Sequence, residues 1–159
     1  MYAAQMKYAP QEMRVYSVTA VTAGRRRLFQ VASNAELLID TLRNYRSQGK
    51  FEIHSFVVMP DHLHVLLTPA PTVPLEKAIQ LLKGGFSFRL KSKMDVWNKG
   101  FFDRRIEDRA SFDACKEYIE QNPVRANIVL KASEYAYTSL MNPDIVDDTP
   151  QWFCGGSQG

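Results

Sequence analysis

The spacing of apolar and polar positions assigns most of the chain to elements. Arg14–Thr22 (RVYSVTAVT) is rich in β-branched residues and predicts a strand. Ala23-Gly24 and Arg25-Arg26-Arg27 read as a turn or exposed connection, with Leu28–Val31 extending the strand region. Ser33-Asn34-Ala35-Glu36 has the pattern of a capping box. The helix that follows carries Leu37, Leu38, Thr41, Leu42 and Tyr45 at helical spacing and stops near Gly49, a residue suited to helix ends. Phe51–Val58 and His62–Thr68 read as strands. The short Met59-Pro60-Asp61 turn makes them an antiparallel hairpin. After a Pro-rich loop, Pro74 suits the first position of a helix. Leu75, Ala78, Ile79, Leu82, Phe86 and Leu90 trace one face of it. Gly84-Gly85 inside that helix costs propensity and marks close packing or a kink. A fourth strand is expected around Phe101–Arg105. Ser111 is the expected cap of a third helix ending near Asn122, and Pro123 the first residue of a short restart. Residues 1–13 read as a loose arm. Residues 141–159 read as a surface tail that Trp152 and Phe153 can pin.

The order β-α-β-β-α-β followed by a helix is that of a ferredoxin-like α+β fold. An antiparallel sheet carries two helices on one face, and the additional helix takes the other. The chain has 159 residues, enough for one domain with its own core, and shows no internal repeat or linker. Apolar residues make up 45% and charged residues 23%, which excludes wholesale disorder. There is no apolar run of about 18 residues, hence no membrane span. Met1–Pro10 lacks the pattern of a secretory signal. Cys115 and Cys154 form neither a CxxC motif nor a disulfide framework, so a cytoplasmic protein is expected.

The net charge of +3 conceals an asymmetry. Residues 1–131 hold all 20 Lys and Arg and 13 of the acids, for +7, whereas residues 132–159 carry −4. A basic body with an acidic tail suits a polyanionic partner.

The candidate chemistry starts at His62 and His64. Two apart on a strand, they share a face at about 6–7 Å spacing, while Leu63, Val65 and Leu67 point to the opposite, core face. Neutral imidazole is a common metal ligand. Tyr118 and Asn122, four apart on one helix, would share a face. One is a candidate nucleophile and the other a candidate amide-oxygen ligand. Two imidazoles and an amide oxygen would leave open positions on Mg²⁺ or Mn²⁺ for a scissile phosphate. His54, on the neighbouring strand, is left out of the ligand set, and Asp61 is assigned to the turn.

Val57-Val58-Met59-Pro60-Asp61-His62-Leu63-His64-Val65-Leu66-Leu67 closely resembles the histidine–hydrophobic–histidine stretch of the HUH single-strand endonucleases, specifically IS200/IS605-like tyrosine transposases and their REP-associated relatives. Tyr118-Ile119-Glu120-Gln121-Asn122-Pro123-Val124-Arg125-Ala126 resembles the catalytic-tyrosine helix of the REP-associated branch. Leu82-Lys83-Gly84 and Trp97-Asn98-Lys99-Gly100-Phe101-Phe102-Asp103 are similar to further family landmarks, and the likeness runs from about Val15 to Leu140. The resemblance implies a catalytic domain over residues 1–140 and an acidic tail over 141–159. It implies that Tyr118 attacks single-stranded or hairpin DNA, leaving a 5′-phosphotyrosine link and a free 3′-OH. A second strand end then reverses the reaction without ATP. It implies a divalent ion on His62, His64 and a third ligand. The insertion-sequence branch has Gln four residues after the tyrosine. Here that position is Asn122, with Gln121 adjacent. A monomer or a homodimer with exchanged tyrosine helices fits the family.

Candidate DNA contacts are Arg25, Arg26, Arg27, Lys83, Arg89, Lys91, Lys93, Arg104 and Arg105. Between Lys77 and Arg109 there are nine basic and four acidic residues interleaved with aromatics, which suits a groove that tracks a strand. The acidic tail is expected to fold over that groove and compete with DNA. Two other readings remain open at this point: a module that binds hairpin DNA or RNA without cutting, and a metal phosphoesterase that activates water.

Overall fold

The computed structural model describes residues 10–155. Most of the expected N-terminal arm and the Gly-rich end of the tail lie outside them. Four strands, β1 (Val15–Val21), β2 (Phe51–Met59), β3 (His62–Pro69) and β4 (Phe102–Ile106), form one antiparallel sheet in the order β2-β3-β1-β4. Helices α1 (Ala32–Ser47) and α2 (Leu75–Leu90) cover one face. Helix α3 (Arg109–Glu120) lies over β2 and β3 on the other, followed by the short helices α4 (Asn122–Arg125) and α5 (Gln151–Gly155). The fold is the expected ferredoxin-like α+β arrangement.

Strand alternation divides the core in two. Val18, Ile53, Phe56, Val58, Leu63, Val65 and Leu67 face Leu38, Leu42, Ile79, Leu82 and Phe86 of the helix pair. Val15, Val57, Met59, Leu66 and Ile106 face Phe112, Cys115 and Ile119 of α3. The backbones of α1 and α2 approach closely because Gly85 has no side chain. A Cβ built there would lie 2.5 Å from the Tyr45 hydroxyl oxygen. The close packing expected of Gly84-Gly85 therefore falls on Gly85. Gly49, just past α1, adopts φ +74° and donates its N–H to Arg46 O, the left-handed turn that favours glycine.

Several local expectations are corrected. Leu28–Gln30 is a 3-10 turn rather than a strand extension. Helix α1 begins at Ala32, and Ser33 does not cap it. Asn34 instead donates to the Leu28 carbonyl. Pro74 is the residue before α2, one position earlier than expected. The cap of α3 is Asp108, whose carboxylate accepts the Ser111 N–H at 2.7 Å, so Ser111 is the recipient of the cap rather than its source.

The segment from Tyr137 into the described part of the tail lies along the outer edge of β2, not over a basic groove. Val58 N–H donates to Tyr137 O, just ahead of the tail, and Asp147 within it exchanges two hydrogen bonds with Ile53, at 2.6 and 2.8 Å. Asp147 also receives Nε and Nη2 of Arg46, at 2.9 and 2.8 Å, and Asp144 pairs with Arg43. Burial pushes the Asp147 carboxyl up, but Arg46 and the Ile53 N–H outweigh it and hold it below the ordinary carboxylate value. Phe153 is buried against Phe112, with ring centroids 5.5 Å apart, which anchors the end of the strap. The acids satisfy guanidinium groups of α1 and cover a sheet edge that would otherwise present unpaired backbone groups.

Candidate active site

On the α3 face of the sheet, Val21 pairs with His62, and Thr19 pairs with both His64 and Phe102. Ser17 pairs with Arg104. Apolar side chains from β2 and β3 are covered by α3. The polar row Ser17, Thr19, His64 and Arg104 is left at the border of that cover. A shallow cavity opens there, lined by these four with Phe102, Asp103, Ala114, Cys115 and Tyr118. Cys115 points into the α3 core cluster. Tyr118, one helical turn on from Ala114, sits at the rim with 55% of its surface exposed. Its ring meets the His64 ring edge-on, with centroids 6.1 Å apart.

Both histidines are oriented by neighbours. The His62 Nδ1–H donates to Asp61 Oδ1 at 2.8 Å, which leaves Nε2 with a free lone pair. Asp61 Oδ2 in turn accepts from Arg25 at 3.2 Å. Burial raises the Asp61 carboxyl, but the His62 hydrogen bond and Arg25 outweigh it and hold it below the ordinary value. His64 Nε2 shares a 2.8 Å hydrogen bond with the Ser17 hydroxyl, so Nδ1 is its remaining nitrogen. Burial, with the charges of His62, Arg125 and Arg104, pulls the His64 ring down to about 4. It is neutral at physiological pH, the form that binds a metal.

The donor chemistry of the two imidazoles fits a divalent ion. Among the described residues no cluster of three His, Cys, Asp or Glu that could hold one forms. Of the expected ligands, His64 lines the cavity, whereas His62 and Asn122 are not among its lining residues. The continuous helix expected to carry Tyr118 and Asn122 on one face is interrupted. The chain turns at Gln121, and Asn122 starts α4 with Pro123, which has no N–H to continue the ladder.

Of the nine candidate DNA contacts, Arg104 lines the cavity. Arg25 is committed to Asp61, and Arg26 donates to the carbonyls of Asp95 and Ala23. Arg27 lies in the connection ahead of the Leu28–Gln30 turn. Lys83 donates to the carbonyls of Asn98 and Gly100, at 2.9 and 2.7 Å, and fastens that loop to α2. Arg89 joins α2 to Thr41 and Asp40 of α1. Lys91 and Lys93 lie at the end of α2, and Arg105 lies 3.9 Å from Glu107. His54, 2% exposed, is structural. It bonds the Thr68 hydroxyl and the Asp148 carbonyl and packs edge-on against Phe112. Sequence reasoning missed Ser17, Thr19 and Phe102 as cavity residues. Ser17 and Thr19 are the polar positions on the α3 side of an otherwise apolar strand, a signal visible in the alternation of β1. Arg125, from the motif that follows Tyr118, places its guanidinium carbon 3.7 Å from the centroid of the Tyr118 ring.

Residues 12–122, more than two thirds of the chain, match the family described as "Transposase IS200 like". The chain belongs to this family of IS200/IS605-like tyrosine transposases. It is a transposase by that membership. Among curated relatives, ISDra2 transposase TnpA of Deinococcus radiodurans is 32% identical over 100 residues, covering 57% of this chain and 71% of the relative. An uncharacterized protein of Haemophilus influenzae is 26% identical over 143 residues, covering 69% and 79%. The fold matches the structure of a REP-associated tyrosine transposase bound to a REP hairpin, with a TM-score of 0.71 and 20% identity over 79% of this chain and 76% of that one. Among the described residues of this transposase no helix is long and apolar enough to cross a membrane.

Proposed function

We propose that this transposase is a metal-dependent single-strand DNA endonuclease and strand transferase of the REP-associated branch. It acts on hairpin or palindromic DNA through a 5′-phosphotyrosine intermediate. The observation that carries this reading is the juxtaposition of Tyr118 and His64, rings 6.1 Å apart across one cavity that also receives Arg104. A nucleophile, a neutral imidazole and a cation converge where a phosphate would sit. The hairpin in the structure of the REP-associated fold relative supports the same class of partner.

The Tyr118 hydroxyl attacks the scissile phosphorus. The phenol gives up its proton as a Tyr118–O–P bond forms, the bond from phosphorus to the 3′ oxygen breaks, and that oxygen takes up a proton and leaves as a 3′-OH, so that no proton is gained or lost overall. The phosphodiester energy is conserved in the tyrosyl link, so a second 3′-OH can reverse the step. His62 through Nε2 and His64 through Nδ1 would hold Mg²⁺ or Mn²⁺, with Asn122 as the proposed third ligand. Such an ion supplies charge stabilisation on the phosphate oxygens and orients the ester. Asp61 and Ser17 fix the two rings by hydrogen bonds to His62 Nδ1 and His64 Nε2, which would leave the other nitrogens for the ion, and Arg104 offers the phosphate a charged donor. The described part of the acidic tail, residues 141–155, is a structural edge cover in this reading.

The test is incubation of the protein with labelled single-stranded hairpin oligonucleotides and Mn²⁺, resolved on a denaturing gel. A covalent adduct is expected with wild type and none with Tyr118→Phe. Adduct surviving Tyr118→Phe refutes the assignment. Tight hairpin binding with no adduct at any metal concentration would instead support a non-cleaving module.

A further inference from the structure

Tyr118 is an exposed ring at the rim of its cavity, and exposed side chains exchange rotamers on the ps–ns scale unless something holds them. What holds this one comes from beyond the helix break. The end of α3 leaves its last carbonyls without intrahelical partners. Arg125, the last residue of α4, donates Nη2 to the Tyr118 carbonyl. The same guanidinium lies over the face of the Tyr118 ring, its central carbon 3.7 Å from the centroid. One planar group thus grips both the backbone and the ring of a single residue. The geometry needs the break. The turn at Gln121 and the Pro123 restart bring Arg125 back toward Tyr118, where a continued helix would place it seven residues up the same face, about 10 Å along the axis.

We propose that Arg125 is the positioning residue of Tyr118: it clamps the phenol ring against the helix break so that the hydroxyl stays aimed into the cavity with His64 and Arg104. This rests on Tyr118 being the attacking group. Arg is suited to the clamp because its flat, delocalised head stacks on a ring while still donating in plane. Lys offers a cation for the ring face but cannot make both contacts at once. Gln can donate to the carbonyl but brings no charge to the ring.

The experiment is single-turnover adduct formation on a hairpin oligonucleotide with Mn²⁺, alongside DNA affinity measured separately, for wild type, Arg125→Ala, Arg125→Lys and Arg125→Gln. The expected result for Arg125→Ala is a rate at saturating DNA lowered about tenfold or more, as for other misplaced reacting groups, with affinity changed less than about twofold. Arg125→Lys recovers part of the rate, and Arg125→Gln recovers less. In the wild-type protein, the Arg125 Nε–H resonance is shifted upfield by the ring, and the shift persists in Tyr118→Phe but disappears in Tyr118→Ala. This readout needs no activity and reports on the wild type and on any folded Tyr118 variant. An unchanged saturating rate in Arg125→Ala beside an inactive Tyr118→Phe overturns the inference alone. So does a loss confined to affinity with a shallower salt dependence, which would make Arg125 a phosphate contact. Adduct surviving Tyr118→Phe overturns the nucleophile assignment and this inference with it.

Discussion

Replacing Asp61 isolates what orients His62, one of the two proposed metal ligands. Its carboxylate accepts the His62 Nδ1–H at 2.8 Å and Arg25 at 3.2 Å, with about a quarter of its side chain exposed. A hydrogen bond to a charged acceptor contributes about 1.5–3 kcal/mol net. Partial exposure and solvent screening reduce that to about 1–2 kcal/mol here. That energy sets how strongly the ring prefers the orientation and tautomer that leave Nε2 free. Asp61→Ala should therefore raise the Mn²⁺ concentration for half-maximal adduct formation about 5–30-fold, in line with other orienting partners of ligating histidines. Asp61→Asn retains an acceptor oxygen without the charge, so its increase should be only a few-fold. Arg25→Ala removes the outer partner of a surface pair whose guanidinium side is 67% exposed, and should change the midpoint by less than about twofold. Mn²⁺ titrations of adduct yield, with direct Mn²⁺ binding by electron paramagnetic resonance, measure all three. If Asp61→Ala leaves the Mn²⁺ midpoint unchanged, or if Asp61→Ala and Arg25→Ala shift it equally, the orientation argument is wrong.

Two further predictions concern the scaffold. Gly84→Ala meets nothing within 4 Å and should stabilise the protein by about 0.5–1 kcal/mol through helix propensity. Gly85→Ala must displace the Tyr45 ring, at 2.5–3.0 Å from the new Cβ, and should fall about 1–3 kcal/mol below Gly84→Ala in urea unfolding; equal stabilisation by both would mean that α1 and α2 are not closely packed at Gly85. Burial holds the His54 ring below its ordinary 6.5, so the unfolded chain takes up a proton first as the pH falls. Its stabilisation is complete well above pH 6.5 and declines below it, with His64 acting in the same direction, so urea midpoints should drop from pH 7.5 to 5.5 and drop less steeply in His54→Gln; an unaltered slope in the variant would assign the dependence elsewhere.

Much of this site is legible in local pattern. Period-two alternation alone places His62 and His64 on the face opposite Leu63, Val65 and Leu67, because a strand has only two faces. The apolar positions Phe112, Cys115 and Ile119 likewise fix which side of α3 is buried and leave Tyr118 at the margin. The same pattern could not show that Lys83 and Arg89 are committed to internal carbonyls, a hydroxyl and a carboxylate, since charge counts do not reveal partners more than a dozen residues away. Nor could it show that Asp144 and Asp147 answer Arg43 and Arg46 about a hundred residues earlier rather than lying over the site.

The sequence by itself determined the order of elements, the faces of the strands, the histidine pair and the tyrosine helix, because each depends on the intrinsic period of one element. Only the tertiary structure decided which polar groups meet. It turned the chain at Gln121, put His64 but neither His62 nor Asn122 in the cavity lining, brought Arg125 onto Tyr118, and carried the acidic tail along the β2 edge. These outcomes depend on where the chain bends and on which distant charges and backbone groups are left to be satisfied once the core has packed. No local period encodes either.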